Sequence, residues 1–174
     1  WMDMSEGHYG VSLLNDCKYG HSALDGVMTL TLIKSGIEPN PTADQEEHTF
    51  TYALYPHAEG WRQANTVQEA MKLNQPLLSE EGGQAGCQNS FVWVDKSNVI
   101  IETVKMAEDD DGIIVRLYES ENAKTKAHIF FGEKISSVES CNCLEEIKQT
   151  IETDGEGFEI TVKPYEIQTY RVRF

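Results

Sequence analysis

Apolar and polar residues alternate in short runs along most of the chain, and each run is closed by turn-forming residues, which is the pattern of β-strands. Such runs occupy residues 9–15 (YGVSLLN), 27–34 (VMTLTLIK), 48–55 (HTFTYALY), 90–94, 99–106, 112–119, 127–131, 158–162 and 167–174. In the second run Met28, Leu30 and Leu32 share one face and are expected to be its buried side. In the third, Phe50, Tyr52 and Leu54 alternate with Thr49, Thr51 and Ala53, and the aromatic set is expected to anchor in the core. Asp25-Gly26 and Asp111-Gly112 supply hairpin turns.

One stretch departs from the period of two. Between residues 61 and 74, Ala64, Val67, Ala70 and Met71 recur at three- and four-residue spacing, and Pro76 stops the helix this predicts. Leu144, Ile147 and Ile151 also fall at helical spacing, but a strand-to-turn passage is expected there. Residues 80–86 (EEGGQAG) read as a flexible loop. About ten strands with one or two helices, and no alternation of helix with strand, describe an all-β antiparallel sandwich with one short helix and exclude a parallel α/β sheet.

The chain has 174 residues, enough for a core without disulfide or metal support. Its formal net charge of −15 argues against nucleic acid or an anionic membrane as partner. No apolar run reaches the roughly 20 residues of a membrane span. The chain opens on Trp1 rather than methionine and is expected to be a piece of something longer. Its four cysteines, Cys17, Cys87, Cys141 and Cys143, form no zinc-binding pattern, and Cys141 and Cys143 are too close to bridge easily. Four free thiols in a cytoplasmic protein is the expectation.

Candidate chemistry is sparse. The acidic run Asp109, Asp110 and Asp111 reads as a solvated hairpin tip. The densest polar group is Asp44-Gln45-Glu46-Glu47-His48, which could supply hydrogen bonds to sugar hydroxyls or form only a solvated loop. His8, His21, His57 and His128 stand alone, and the strand aromatics read as core. Trp1, Trp61 or Trp93 as a sugar-stacking face is the lesser alternative. No phosphate loop, nucleophile elbow or Cys–His pair is visible.

Four blocks carry a family resemblance: 9–20 (YGVSLLNDCKYG), 43–57 (ADQEEHTFTYALYPH), 115–119 (VRLYE) and 162–169 (VKPYEIQT). In this order they resemble the C-terminal β part of glycoside hydrolase family 38 α-mannosidases, most closely the cytosolic and bacterial branch. The resemblance implies a portion of a galactose-mutarotase-like super-sandwich, forming residues 1–174 of a larger retaining enzyme that hydrolyses terminal α-linked mannose. It implies no catalytic residue and no metal ligand in this chain. The nucleophile, the acid/base and the zinc would belong to the parent's N-terminal catalytic domain, which with a helical bundle would be this chain's partner, alongside a mannose-containing oligosaccharide. A homo-oligomer is compatible with this picture, and a stand-alone carbohydrate-binding sandwich is the alternative to it. Asp44, Gln45 and His48 match the family pattern and are the substrate-binding candidates. Lys34-Ser35-Gly36 stands where relatives read Arg-Ser-Pro, and Glu46-Glu47-His48 where they read Gly-Glu-His. A lysine lacks the forked guanidinium, so no substrate role is carried to Lys34.

The cysteines provide the first test. In denaturant without reductant, all four are expected to react with a thiol reagent; fewer than about three would contradict the reducing-compartment reading.

Overall fold

The computed structural model describes residues 1–79, 81–82 and 90–174, in two compact units, Trp1–Glu81 and Gly82–Phe174. Of the expected loop, residues 80 and 83–86 lie outside the described residues, as does Cys87. Antiparallel strands dominate both units, with one α-helix among the described residues.

The first unit holds β1 (Met2–Glu6), β2 (Tyr9–Asn15), β3 (His21–Leu24), β4 (Val27–Leu30), β5 (Tyr52–Ala58) and α1 (Thr66–Asn74). Its sheet runs β1-β2-β5, and β3 and β4 form a separate hairpin. Asp25 and Gly26 join that hairpin with φ of 50° and 76°, the left-handed pair a two-residue turn requires. The strand predicted over 27–34 ends at Leu30; Met28 and Leu30 are half-buried, whereas Leu32 is exposed. In β5 the predicted phase is reversed. Tyr52 and Leu54 are exposed, while Ala53, Tyr55 and His57 take the more buried side. Both faces of this strand carry bulky residues, so alternation alone did not tell which was inward. Partners distant in sequence decided it.

Those partners form a buried polar tie. Asp3 Oδ2 accepts hydrogen bonds from Ser12 Oγ at 2.7 Å and His57 Nε2 at 2.7 Å, and Ser12 Oγ lies 2.8 Å from Thr66 Oγ1. One carboxylate thereby links β1, β2, β5 and the first turn of α1. Gly10 makes room for it, because a Cβ there would lie 2.3 Å from His57 Cε1.

The second unit holds β6 (Val92–Val94), β7 (Val99–Met106), β8 (Ile113–Glu119), β9 (Thr125–Phe131), β10 (Ser137–Cys141), β11 (Ile147–Ile151), β12 (Gly157–Val162) and β13 (Ile167–Arg173). A five-stranded sheet, β11-β10-β13-β8-β7, and a three-stranded sheet, β12-β9-β6, bring their apolar faces together. Val115, Leu117, Val138, Tyr170 and Val172 come from the first, and Ala127, Ile129, Phe131, Phe158, Ile160 and Val162 from the second. This is a β-sandwich, and its strands follow the predicted alternation closely. The strand-to-turn passage expected around residues 144–151 is the β10–β11 hairpin, not a helix. Only Val138 and Cys141 of β10 are buried, and β11 is almost wholly exposed.

The acidic run 109–111 is more than a solvated tip. Asp109 pairs with Arg171 at 2.7 Å and Asp111 with Arg173 at 2.8 Å. Arg171, 5% exposed, lies on the outer face of the five-stranded sheet, so the β7–β8 turn folds over that face to neutralise it. Glu119 is fully buried and satisfied, accepting from Asn98 Nδ2, the Glu121 N–H and the Tyr165 N–H. Burial pushes its carboxyl up, but those hydrogen bonds outweigh burial and hold it below the usual value. No helix among the described residues is long and apolar enough to cross a membrane.

Two substitutions separate the observed faces from the predicted ones. Phe158→Ala is expected to cost about 3–5 kcal/mol in urea unfolding. Tyr52→Ala, at a ring 56% exposed, is expected to stay within about 0.5 kcal/mol. A large loss for Tyr52→Ala would restore the sequence-based orientation of β5.

Candidate functional site

Two shallow cavities in the first unit share Lys18. One, of about 360 Å³, is bounded by Trp1, Asn74 and the segment 15–19 with His21. The other, of about 160 Å³, is lined by Lys18, Leu32, Ile33, Lys34, Asp44 and His48. The connection between β2 and β3 supplies the wall common to both, and its backbone is held from several sides. Asn15 Oδ1 accepts from the Lys18 N–H, Asn15 Nδ2 meets His21 Nε2 at 3.1 Å, and Asn74 Nδ2 donates to the Asn15 carbonyl at 3.1 Å. Asp16 Oδ2 accepts from the Thr51 N–H at 2.9 Å, which fixes the approach to β5.

Electrostatics follow from these bonds. The Cys17 thiol and the Thr51 N–H hold the Asp16 carboxyl below its ordinary value, and the same carboxylate pushes the Cys17 thiol up, away from the reactive thiolate. Lys18 Nζ sits 4.6 Å from the centre of the Phe50 ring, a cation–π contact. Phe50 is half-buried beside Lys18 rather than enclosed in the core.

Of the three predicted site residues, the structure brings two to one cavity. Asp44 and His48 line it together, and His48 Nε2 donates to the Asp44 carbonyl at 3.0 Å. Gln45 turns back on its own loop, its Nε2 donating to the Pro41 carbonyl at 3.1 Å. The strand expected over residues 48–55 would hold His48 and follow closely on Asp44 and Gln45. The three residues lie instead in a turn and irregular loop, with β5 beginning only at Tyr52. Asp44 has φ of 57°, a left-handed conformation that aspartate tolerates better than most residues. Sequence reasoning missed Lys18, although it sits within the block 9–20, and set Lys34 aside, yet both line the cavity with Asp44. Two ammonium groups, a carboxylate and an imidazole at one shallow surface can donate to and accept from several hydroxyls at once.

The tie of Asp3, His57 and Ser12 contains the residue types of a hydrolase triad without its geometry. Ser12 Oγ and Asp3 Oδ2 both meet the same imidazole nitrogen, at 3.2 and 2.7 Å, whereas a triad uses opposite nitrogens. Ser12 is also fully buried, so no substrate reaches it. Among the described residues, no group of three or more His, Cys, Asp and Glu side chains is placed to hold a metal ion. Cys17, Cys141 and Cys143 are free thiols.

Comparison with known proteins gives concordant matches. A family model described as "Glycosyl hydrolases family 38 C-terminal beta sandwich domain" matches residues 98–170, and another described as "Glycosyl hydrolases family 38 C-terminal domain" matches residues 1–42. Alpha-mannosidase G of Dictyostelium discoideum is 34% identical over 179 residues, a match covering 98% of this chain and 16% of that protein. Alpha-mannosidase 2C1 of Homo sapiens is 35% identical over 150 residues, covering 83% of this chain and 14% of that one. The chain thus spans about a sixth of the length of these relatives. The crystal structure of an alpha-mannosidase from Enterococcus faecalis V583 superimposes with a TM-score of 0.73 at 21% identity, over 97% of this chain and 20% of that one, a likeness of fold.

The polar tie of the first unit makes a pH prediction. Burial pushes the Asp3 carboxyl up, but hydrogen bonds from Ser5, Ser12 and His57 outweigh it and hold the pKa below the ordinary value. A depressed carboxyl stabilises the fold above its unfolded pKa, about 3.9, and that stability is lost as pH falls through the lower folded value. Below about pH 4, urea midpoints are expected to drop with a slope that Asp3→Asn makes shallower. An unchanged slope would mean that Asp3 carries no linked proton.

Proposed function

Because the chain belongs to the C-terminal region of glycosyl hydrolase family 38, we propose that it is the C-terminal β portion of a retaining α-mannosidase that hydrolyses terminal α-linked mannose. The observation that carries this is the match to α-mannosidases along nearly the whole chain, at 34% identity for the Dictyostelium discoideum protein. In this reading the bond-breaking carboxylates and the zinc sit in the parent's N-terminal catalytic domain, and this chain supplies a wall of the substrate cleft. The wall is the Lys18 surface, with Asp44 accepting a sugar O–H and Lys18 and Lys34 donating to sugar oxygens. Gln45 acts one step back, through the turn it closes onto Pro41.

Docking on the parent's own N-terminal and helical parts has support in the first unit. One face of its sheet meets α1, whereas Tyr9, Tyr52 and Leu54 on the opposite face are exposed at 52%, 56% and 66%. A neighbouring domain that covers these residues removes apolar surface from water. The free thiols accord with a cytoplasmic location.

Asp44 tests the cleft-wall role. Alanine would strain the left-handed position, so the informative variant is Asp44→Asn, which tolerates that backbone and removes the charge. Hydrogen bonds to a charged group contribute about 1.5–3 kcal/mol. In the full-length parent, Asp44→Asn is expected to lower kcat/KM for an aryl α-mannoside about tenfold or more while Tm changes little. Unchanged kcat/KM per folded molecule would reduce Asp44 to a turn residue and this unit to a scaffold.

A further inference from the structure

The outer face of the three-stranded sheet in the second unit carries aromatic rings that the core does not use. Trp93 on β6, Phe130 on β9 and Gly157 on β12 form one row across the strands. The Trp93 and Phe130 rings stack at 5.4 Å with 12° between their planes, and the His128 ring lies 4.3 Å from Phe130. Trp93 nevertheless keeps 42% of its surface exposed. The third place in the row has no side chain and has no space for one. A Cβ at Gly157 would lie 2.1 Å from the Ile129 carbonyl oxygen and 2.6 Å from His128 Nε2. Beside Gly157 and His128 the surface drops into a cavity of about 500 Å³ lined in part by Glu152, Asp154 and Glu159.

The polar groups of this cavity are positioned in advance. Asp154 Oδ1 accepts from the Glu156 and Gly157 N–H groups at 2.9 and 2.8 Å, while its Oδ2 stands 3.9 Å from His128 Nε2. Glu159 is paired with Lys126 at 2.8 Å. Carboxylates accept hydrogen bonds and repel anions, which excludes phosphorylated or sulfated ligands. Glu159 is already engaged by Lys126, which leaves Asp154 and Glu152 as the acceptors a ligand can use. A ligand with many O–H donors and apolar C–H faces suits both parts. Its volume of about 500 Å³ lies in the usual range of small-ligand sites.

We propose that the Trp93–Phe130–His128 strip and the adjoining cavity form a carbohydrate-contact surface for a neutral oligosaccharide. One pyranose lies against Trp93, and a linked ring reaches the cavity, where its hydroxyls donate to Asp154. From β6 to β12 is two strand spacings, roughly 10 Å, a span that suits a di- or trisaccharide better than a single sugar. The surface needs no catalytic role; only the choice of mannose as its sugar rests on the α-mannosidase reading.

The test is a titration of the 174-residue chain, followed by amide and indole NMR shifts, with linear α-mannotriose and in parallel with maltotriose, its α-linked glucose counterpart. Saturable shifts at the Trp93 indole and at Asp154 to Gly157, with millimolar Kd, are expected for mannotriose. Trp93→Ala is expected to weaken binding at least tenfold. Asp154→Asn, which keeps the turn acceptor and removes the charge, is expected to weaken it several-fold and serves as the deciding variant if Trp93→Ala misfolds. Maltotriose binding without mannotriose binding would uphold the surface and count against the mannose assignment alone. Absence of shifts for both sugars, or binding that both variants leave unchanged, would overturn the proposal.

Discussion

An antiparallel strand has two faces, and in the second unit six of its strands commit one of them to a single shared interior. Phe158, Ile160 and Val162 face Tyr170, Val172, Val115 and Leu117 across the sandwich, and most of these side chains are fully buried. That commitment leaves the opposite faces to charged side chains and to the remaining aromatic rings. The outer face of the five-stranded sheet becomes a layer of arginines held by acidic turns, with Asp109 on Arg171 and with Asp111 and Glu139 on Arg173. The outer face of the three-stranded sheet becomes the aromatic strip.

The first unit has a smaller core and leans on polar bonding instead. Among the described residues Leu13, Leu14, Val67 and Ala70 are its buried apolar side chains, and the Asp3 tie lies on the Leu14 face of the sheet, against α1. A buried carboxylate is costly unless its oxygens are satisfied, and here three side chains satisfy it. The same tie anchors β2 and β5, the strands from which the Lys18 loop and the Asp44 loop depart. The bonds that stabilise this unit thereby place the groups proposed to meet the sugar.

Legibility in the sequence followed the range of the interactions involved. Strands β7, β8, β9, β12 and β13 were readable because apolar residues recur at alternate positions along most of each, a local signal. The orientation of β5 was not, since Phe50-Tyr52-Leu54 and Ala53-Tyr55-His57 alternate equally well and the choice was made by Asp3, 54 residues from His57 in the chain. The acidic run 109–111 read as solvated because its arginine partners lie 62 residues away. At the candidate site, Asp44 and His48 were legible from the block 43–57. Lys18 was not, because only folding brings it beside them. Lys34 was set aside for lacking an arginine's fork, but a cavity wall can use a single rotatable ammonium as a donor.

The central claim is that this chain shapes and supports a mannosidase site without performing the bond cleavage. It is tested most directly by measuring aryl α-mannoside hydrolysis by the full-length parent and by the isolated 174-residue chain in the same buffer, with and without added zinc. The account predicts turnover by the parent and none above the buffer blank by the isolated chain. Turnover by the purified chain that survives a control for host mannosidase, or a correctly folded parent with no mannosidase activity, would contradict it.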